Sequence, residues 1–171
     1  MLRVSVIVPV FNGARTIEDC LDAILGSSRL ADECIVVDDA STDGTSALVT
    51  ARPGVTLIRS SARKGPAVAR NKGAAHATGD ILVFVDADVL LHPDTLARAI
   101  SVLENDPGLA AVFGSYDDQP AHPSFLSQYR NLFHHWVHQT GNTESATIWS
   151  GCGAVRSDVF LASGGFDPLF R

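Results

Sequence analysis

The sequence predicts an α/β fold in which a mostly parallel sheet carries helices on both faces. Short apolar runs such as Val4 to Val10 and Ile81 to Val85 alternate with segments of helical periodicity through most of the chain. Alternation of this kind is typical of parallel sheets with right-handed crossovers. Turn-forming or acidic residues follow these runs, as they do at the edge where such sheets bind ligands. We expect the strand order 3-2-1-4.

Each predicted element has a local signal. The run Val4 to Val10 is rich in β-branched residues, and Phe11 to Gly13 ends it with turn-forming residues. Apolar residues at helical spacing follow, until Gly26 ends that run. The predicted strands are 4–10, 34–37, 55–58, 81–85 and 110–116, and the predicted helices are 17–25, one after 45, 65–77, one from 93, and 124–140.

Three helix starts carry residues that favour capping. Thr16 and Asp19 have the spacing of a capping box. Ser41 or Asp43 is expected to cap the second helix, because short polar side chains accept hydrogen bonds from the first amides of a helix. Pro93 is expected at the first position of the fourth helix, where its missing N–H has no cost.

Length and composition indicate one globular domain over residues 1–171. Of the 171 residues, 46% are hydrophobic and 19% are charged. The formal net charge of -6 argues against a nucleic-acid partner, which would need a basic face. Cys20, Cys34 and Cys152 lack disulfide or zinc spacing, and neither a targeting segment nor a membrane span is visible. We therefore expect a cytoplasmic protein.

Polar residues follow three of the predicted strands. Asn12 follows the first strand, Asp38 and Asp39 end the second, and Asp86 and Asp88 follow the fourth. Parallel strands end at the same edge of a sheet, where ligands bind. The sequence therefore predicts that these separated polar groups converge on one site.

The pair Asp86 and Asp88 is the candidate metal site. If the strand geometry continues past Val85, side chains alternate and both carboxylates point the same way, with small Ala87 between them. Two close anions favour a hard divalent ion such as Mg²⁺ or Mn²⁺, whose other positions are filled by water and substrate phosphates. The alternative is a pair of solvated turn carboxylates.

The sequence lacks the two common phosphate-binding motifs. No Gly-x-Gly-x-x-Gly follows the first strand, and no Gly-x-x-x-x-Gly-Lys-Ser/Thr is present. A metal on Asp86 and Asp88 could instead neutralise a diphosphate, while an acid such as Asp39 accepts a hydrogen bond from a base or ribose. Arg70 is either a further phosphate contact or a solvated helix residue.

Four segments together resemble one known family. They are Val4 to Asn12, Val37 to Thr45, Gly65 to Gly73 and Val85 to Asp88. In this order and spacing they resemble family 2 glycosyltransferases, which have the GT-A fold, a Rossmann-like α/β architecture. The resemblance covers nearly the whole chain.

The resemblance implies roles for individual residues. Asp39 would accept a hydrogen bond from the nucleobase, usually uracil, and Asp88, helped by Asp86, would hold Mn²⁺ or Mg²⁺ on the diphosphate. The implied reaction is inverting: an acidic base deprotonates the acceptor hydroxyl while the metal stabilises the leaving nucleoside diphosphate. The residues expected at the nucleotide are Pro9, Phe11, Asn12, Asp38, Asp39, Ser41, Arg70, Asp86 and Ala87.

The second half resembles the acceptor-side segment of the same family. The resemblance rests on Ser150 to Arg156 and on Gly164 to Asp167. The glycines around Cys152 are expected to allow close backbone approach rather than to support chemistry at the thiol. The residues expected on the acceptor side are Trp149, Gly151, Cys152 and Gly153.

The catalytic base is the part of the family pattern that this sequence lacks. The family places an acidic pair just beyond the acceptor-side segment, and the sequence stops at Arg171 before any such pair. This predicts a truncated chain, with residues 1–117 as the donor-binding half and 118–171 as the start of the acceptor-binding half. Asp167 is the nearby acid that could replace the base, although a turn or capping role is favoured for it.

Three other functions stay open. An Asp-x-Asp phosphatase would use the same pair of acids, but such enzymes place it on the first strand. A nucleotidyltransferase would need a glycine-rich basic loop after the first strand, and Phe11 to Ala14 does not provide one. A non-catalytic module that binds a nucleotide sugar would need no catalytic base.

The expected partners are a nucleotide-sugar donor and a saccharide or lipid-linked acceptor. The aromatic-rich helix 124–140 suggests a peripheral membrane contact, although it has few basic residues. His134 and His138 are four residues apart, but no third ligand lies nearby in sequence, so a zinc site is disfavoured. Apolar residues near Phe166, Leu169 and Phe170 favour self-association into a homo-oligomer.

Overall fold

The structure is a computed structural model that describes residues 2–120, 123–142 and 150–169. The expected acceptor-side residue Trp149 lies outside these ranges. The strands are β1 (Val4–Val10), β2 (Glu33–Asp38), β3 (Val55–Arg59), β4 (Ile81–Val85), β5 (Ala111–Phe113) and β6 (Cys152–Arg156). The helices are α1 (Ile17–Leu25), α2 (Thr45–Thr50), α3 (Pro66–His76), α4 (Thr95–Asn105), α5 (Phe125–Thr140) and α6 (Ser157–Ala162).

The described strands form one sheet in the order β3-β2-β1-β4-β6-β5. The first four strands pair in parallel, with Val6 opposite Cys34 on β2 and Val83 on β4. The predicted order 3-2-1-4 is therefore confirmed. β6 is antiparallel to both β4 and β5, which makes the sheet mixed at that side.

The helices cover both faces of the sheet. One core contains the even-numbered residues of β1 and the apolar sides of α1 and α4, including Leu21 and Ile100. The other face carries Ile7, Leu82 and Phe84, which pack with residues of α3 and α6. β1 and β4 are buried on both faces, as expected for central parallel strands.

Helix α3 lies unusually close to the sheet at Gly73. A Cβ atom at this position would come within 2.4 Å of Ile7 Cγ2 on β1, so glycine is required for this approach. The rest of the inner face of α3 is also small, with Ala69 and Ala74 buried. The close packing of α3 brings Arg70 against the end of β4.

Several sequence expectations differ from the structure, including the N-cap of α2, which is Gly44 rather than Ser41 or Asp43, and the end of β5, which lies at Phe113. Strand β6 and helix α6 were not predicted, because Gly151 and Gly153 interrupt the β pattern. Helix α4 begins at Thr95 with Asp94 as its N-cap, so Pro93 precedes the helix. Within residues 2–120, the Thr16 side chain makes no capping hydrogen bond, and its Oγ1 instead donates to Gly13 O. A further difference concerns Asp86 and Asp88, which follow the end of β4 at Val85.

None of the helices in the described ranges combines the length and apolar character that crossing a bilayer requires.

Candidate functional site

The candidate site lies at the carboxyl edge of β1, β2 and β4. These strands are parallel neighbours, so the loops that follow them meet at this edge. Asp39 N donates to Val10 O at 2.8 Å, which joins the first two loops directly after their strands. Asn12 has φ of 52° and Ala40 has φ of 66°. Such left-handed backbone in residues other than glycine is uncommon and concentrates at functional sites.

The loops after β1 and β2 are joined by their own polar groups. Asn12 N donates to Ser41 Oγ at 2.9 Å, and Thr42 N donates to Asn12 Oδ1 at 2.8 Å. Gly13 N donates to Thr45 Oγ1 at 2.9 Å. The side chains of Asn12 and Ser41, both expected at the nucleotide, therefore fix the shape of the site through these contacts.

Asp38 is a structural residue of the second loop. Its side chain has 0% exposure, and its carboxylate accepts hydrogen bonds from Ser41 N and from Ser46 Oγ. Arg59 Nε lies 3.7 Å from the same carboxylate. Burial alone would raise the pKa of Asp38, but these hydrogen bonds and Arg59 outweigh it, so the pKa lies below its usual value. Asp38 therefore shapes the second loop, and its contact with the nucleotide stays a prediction.

Asp39 organises the loop that precedes α3. Its carboxylate accepts from Lys64 N at 3.0 Å and from Gly65 N at 2.7 Å. Gly65 has φ of 96°, which glycine adopts without strain, and this turn presents both amides to Asp39. Two carboxylate oxygens offer about four acceptor positions. Asp39 therefore keeps acceptor capacity beyond its amide contacts.

Phe11 and Arg63 stack on each other at the carboxyl edge of the sheet, beside the loop after β1, and form one wall of the candidate site. The Arg63 guanidinium carbon lies 4.0 Å from the centre of the Phe11 ring, a cation–π contact. Arg63 is exposed, and it lies in the same loop as the amides that hold Asp39. A planar base could stack against such a wall. Arg63 was not predicted from the sequence, because a single arginine in a polar loop carries no pattern.

Asp86 and Asp88 occupy a turn rather than an extension of β4. The strand ends at Val85, and Val89 N donates to Asp86 O at 3.0 Å to close the turn. Asp86 is partly buried and faces Arg70, whereas Asp88 is exposed. The strand geometry on which the expected same-side arrangement of the two carboxylates depended therefore ends at Val85.

Arg70 is buried and pairs with Asp86. The Arg70 side chain is only 10% exposed, and its Nη2 atom donates to Asp86 Oδ1. Its guanidinium also lies over the Phe166 ring, 5.4 Å from the ring centre. Arg70 Nε is buried and has no hydrogen-bond partner among the described residues. The solvated alternative for Arg70 is therefore excluded.

The two acids create a negative potential at the edge. Burial raises the pKa of Asp86, Arg70 partly offsets that effect, and Asp88 raises the pKa further. Burial, followed by Asp88 and Asp86, also raises the pKa of Tyr116. Burial is the main reason that the pKa of Cys20 is raised to about 12, and both acids add to it. The charge of Arg70 therefore does not cancel the two carboxylates.

This donor set fits a hard divalent cation. The described residues contain no group of three or more His, Cys, Asp or Glu side chains that could hold a metal ion. The turn offers two carboxylates, of which Asp88 is exposed and Asp86 is shared with Arg70. Mg²⁺ and Mn²⁺ commonly take one or two protein carboxylates and complete their coordination with water and phosphate oxygens. The residues therefore fit an ion that arrives with a phosphorylated ligand.

A cavity of about 290 Å³ opens beside Asp88. Tyr116 and Asp117 line it from the chain after β5, and Asn131 lines it from α5. His92 Nε2 lies 2.8 Å from Asp117 Oδ2 at the same cavity. These cavity residues were not predicted from the sequence, since they come from separate segments without a shared motif.

The predicted acceptor-side segment lies next to the acids. Gly151 and Cys152 line the cavity beside Asp88, and Asp86 N donates to Gly151 O at 3.0 Å. Gly153 is buried on β6 opposite Phe84. The glycine-rich segment therefore brings its backbone against the turn that carries the acids.

Asp167 is exposed, and its Oδ1 accepts from Leu169 N at 2.9 Å, which is a local turn contact. The neighbouring Phe166 is tied to α3, because its backbone exchanges two hydrogen bonds with the Asn71 side chain at 2.7 and 2.9 Å. Phe166 also lies under Arg70. Asp167 therefore follows a residue that is fixed close to the Arg70–Asp86 pair.

The fold and the edge define a class: an α/β domain with acidic loops at the carboxyl edge of a mostly parallel sheet. Comparison with protein families agrees. The model of the family described as Glycosyl transferase family 2 matches residues 5–161, and the chain belongs to this family.

Relatives among characterised and uncharacterised proteins agree with this assignment. An uncharacterized glycosyltransferase of Haemophilus influenzae is 26% identical, over 98% of this chain and 57% of that protein. The succinoglycan biosynthesis protein ExoO of Rhizobium meliloti is 38% identical over 57% of this chain and 28% of its own length. The chain thus spans little more than half the length of the first relative.

Solved structures confirm the predicted GT-A fold. The mannosyltransferase PcManGT from Pyrobaculum calidifontis, solved in complex with GDP-Man and Mn²⁺, is 34% identical with a TM-score of 0.76. That match covers 98% of this chain and 48% of the mannosyltransferase. TarS of S. aureus, solved in complex with UDP, is 20% identical with a TM-score of 0.73, covering 97% of this chain and 50% of TarS. At that identity TarS supports the fold alone.

Proposed function

We propose that this chain is the donor-binding part of an inverting, metal-dependent glycosyltransferase. The proposed reaction moves a sugar from a nucleoside-diphospho-sugar to an acceptor hydroxyl. The observation that carries the proposal is the meeting of Asp39 and the Asp86–Asp88 turn at one sheet edge, with Asp88 at the mouth of a cavity. Family membership supports the same reaction class.

The base of the nucleotide is assigned to the edge formed by Phe11, Asp39 and Arg63. Asp39 accepts a hydrogen bond from the base, and the Phe11–Arg63 wall stacks against its plane. We propose UDP as the nucleotide, since the N3–H of uracil can donate a hydrogen bond to a carboxylate. GDP is the second candidate, because the neighbour that is 34% identical was solved with GDP-Man.

The diphosphate is assigned to the turn after β4. Asp88, which is exposed, and Asp86 are the proposed ligands of Mn²⁺ or Mg²⁺, and the bound ion neutralises the charge of the leaving nucleoside diphosphate. Arg70 holds Asp86 in place beside the proposed diphosphate. Ala87 keeps the turn narrow between the two acids.

The acceptor is assigned to the cavity beside Asp88, which the segment around Gly151 and Cys152 also lines. A saccharide or lipid-linked hydroxyl is the proposed acceptor. On this proposal residues 1–117 form the donor half and residues 118–171 begin the acceptor half. Inverting transfer needs a carboxylate within reach of the hydroxyl. Asp39 and Asp86 are already engaged, and we propose Asp167, the acid of the acceptor-side segment, as the base.

The proposed base role of Asp167 predicts slow transfer, because its carboxylate is held in a turn. General-base catalysis contributes roughly a hundred- to ten-thousandfold. Loss of the residual transfer in Asp167→Asn, with donor binding unchanged, would assign the base to this residue.

A chain that binds donor but transfers no sugar would be the non-catalytic module. A phosphatase would release phosphate from a model phosphomonoester, and a nucleotidyltransferase would release pyrophosphate from a nucleoside triphosphate.

The nucleotide assignment is tested by calorimetric titration of UDP and GDP in the presence of Mn²⁺. We expect UDP to bind more tightly, and Asp39→Ala to weaken UDP about ten- to hundredfold, as for a lost hydrogen bond to a charged group. Asp43→Asn is the matched control, since Asp43 lies in the same loop and contacts Ala14 and Thr45. Tighter binding of GDP would replace the uracil assignment, and equal binding by wild type and Asp39→Ala would remove Asp39 from the site.

A further inference from the structure

The cavity beside Asp88 is lined by acids and neutral polar groups, with no lysine or arginine among the described residues that line it. Its acids are Asp88, from the turn after β4, and Asp117, from the chain after β5. Gln119 and Asn131 add amide groups, and Ser115 adds a hydroxyl. The volume of about 290 Å³ is close to the lower end of the roughly 300–1,000 Å³ typical of small-molecule sites. The cavity therefore suits one small polar ligand.

Asp117 is held in place at the wall of this cavity. Its Oδ2 atom lies 2.8 Å from His92 Nε2, and its Oδ1 atom accepts from Gln119 N at 3.0 Å. Its backbone oxygen accepts from Asn131 Nδ2 at 2.8 Å, which joins Asp117 to α5. Contacts with three residues therefore orient Asp117 before a ligand binds, so that ordering its carboxylate adds little to the cost of binding.

The Asp117 carboxylate keeps room for a ligand. Its side chain is 36% exposed. Two carboxylate oxygens offer about four acceptor positions, and the contacts with His92 and Gln119 occupy two of them. Burial raises the pKa of Asp117, but the hydrogen bonds from His92 and Gln119 outweigh it, so the pKa lies below its usual value. The carboxylate is therefore ionised at neutral pH and accepts hydrogen bonds without donating any.

The electrostatic potential in the cavity disfavours an anionic ligand. Asp117 and Asp88 line the cavity, and Asp86 lies in the same turn as Asp88. Burial raises the pKa of Tyr116, another residue of the lining, and Asp88 and Asp86 raise it further. A divalent ion and the diphosphate of a bound donor carry opposite charges that largely cancel. The negative charge of Asp117 therefore remains when the proposed donor site is filled.

A neutral ring with several hydroxyls is the ligand that satisfies these groups. Each sugar hydroxyl donates one hydrogen bond and accepts others, which matches an ionised carboxylate that lies beside amide groups. A ring with a phosphate or a carboxylate would bring more acceptors to a site whose charged group is itself an acceptor of the same sign. The lining therefore discriminates between ligands by charge.

We propose that Asp117 is a specificity-determining residue that selects an uncharged sugar ring as the acceptor and rejects a ring that carries a phosphate or a carboxylate. This inference rests on the proposed function, which assigns the cavity to the acceptor. An acceptor that belongs to a longer saccharide or to a lipid meets the same condition when the ring that enters the cavity is uncharged.

Titration with matched pairs of sugars tests this selection. One pair is methyl β-D-glucopyranoside and methyl β-D-glucuronide, which differ by a carboxylate, and the second pair is the corresponding galactose derivatives. Each sugar is added to the full chain with UDP and diamagnetic Mg²⁺ at about pH 8, where histidine is ordinarily neutral. Binding is followed by the NMR signals of the His92 ring, which contacts Asp117 and is assigned with His92→Gln. We expect neutral sugars to bind at least about fivefold more tightly, the factor for two unit charges about 4 Å apart in water.

Two variants with the same change of charge assign the selection to one carboxylate. Asp117→Asn keeps the shape of the side chain and removes its charge, so it should remove most of the preference for the neutral sugar. Asp118→Asn is the matched control, because Asp118 is the adjacent exposed acid and lies outside the lining of this cavity. Asp118→Asn should keep the preference. Calorimetric binding of UDP by both variants shows that each is folded.

Three results would overturn the proposal. The first is a carboxylate-bearing sugar that binds as tightly as its neutral partner, or more tightly. The second is the same preference in wild type and in Asp117→Asn. The third is a His92 signal that none of the neutral sugars shifts in a protein that binds UDP. Loss of UDP binding in wild type would instead contradict the proposed function, and titration of the sugars without UDP would still test the cavity.

Discussion

The donor edge and helix α5 use their polar groups in opposite ways. At the donor edge, Asp38 and Ser41 are buried, and their hydrogen bonds hold the loops that follow two central strands. In α5, polar side chains bond to the chain after β5 while the aromatic side stays in solvent. The donor edge is thus fixed by a packed core beneath it, and α5 is fixed by a few exposed or half-buried hydrogen bonds.

The comparison of β4 with α5 shows what a hydrophobic pattern in the sequence can and cannot predict. Both β4 and α5 have clear apolar patterns, and both were predicted as elements. In β4 the apolar residues are all buried, whereas in α5 they are exposed. The pattern therefore identifies an element and its apolar side, but not what lies against that side.

The largest stability effect in this comparison is expected at Asp38. Asp38→Asn removes a charged acceptor from the buried bonds to Ser41 and Ser46, and should lower the free energy of unfolding by about 1–3 kcal/mol at pH 7. The pKa of Asp38 is below its usual 3.8, so the ionised form stabilises the fold above that pH. The stabilisation is lost as the pH falls through the lowered pKa.

Urea unfolding at pH 7 and in acid below pH 3.8 measures this effect. The difference between wild type and Asp38→Asn should shrink in acid. Glu18→Gln is the control, since Glu18 is an exposed acid in the first turn of α1. A difference of the same size at both pH values would show that the charge of Asp38 does not stabilise the loop.

Much of the fold could be predicted from the sequence. The central strands and helices are long, and their periodicity is undisturbed, so β1 and α1 were predicted with their observed ends. Alternation and right-handed crossovers predicted a parallel sheet, and the order 3-2-1-4 is the one typical of a doubly wound sheet. Strand β6 was missed, because Gly151 and Gly153 weaken the local signal and only pairing with β4 and β5 makes this segment a strand.

The site was predictable where it follows strands along the chain. Asp39, Asp86 and Asp88 could be chosen as candidates because each follows an apolar run. The strands before them, β2 and β4, both pair in parallel with β1, so these residues follow the same edge of the sheet. The burial of Asp38 and the pairing of Arg70 with Asp86 depend on tertiary contacts that no local pattern reveals. The cavity residues Tyr116 and Asp117 were missed for the same reason.

A smaller effect is expected in α5. Its hydrogen bonds to residues 115–117 lie near the surface, so its amides should exchange with solvent faster than those of β1 and β4. Asn131→Ala should increase exchange within α5 and change global stability by less than about 1 kcal/mol. Gln128→Ala is the control on the same helix. Amide exchange in α5 that is as slow as in β1 would show that α5 is held as firmly as the core strands.

The metal dependence of nucleotide binding tests the central claim most directly. Titration of UDP into wild type and Asp88→Asn, each with Mn²⁺ and with a chelator, compares the proposed metal ligand with its neutral analogue. Asp117→Asn is the control, since Asp117 lines the same cavity. The donor site predicts that chelation and Asp88→Asn each weaken UDP about a hundredfold, while Asp117→Asn retains the metal effect. Equal affinity with Mn²⁺ and with chelator in the wild-type protein would contradict the proposed site.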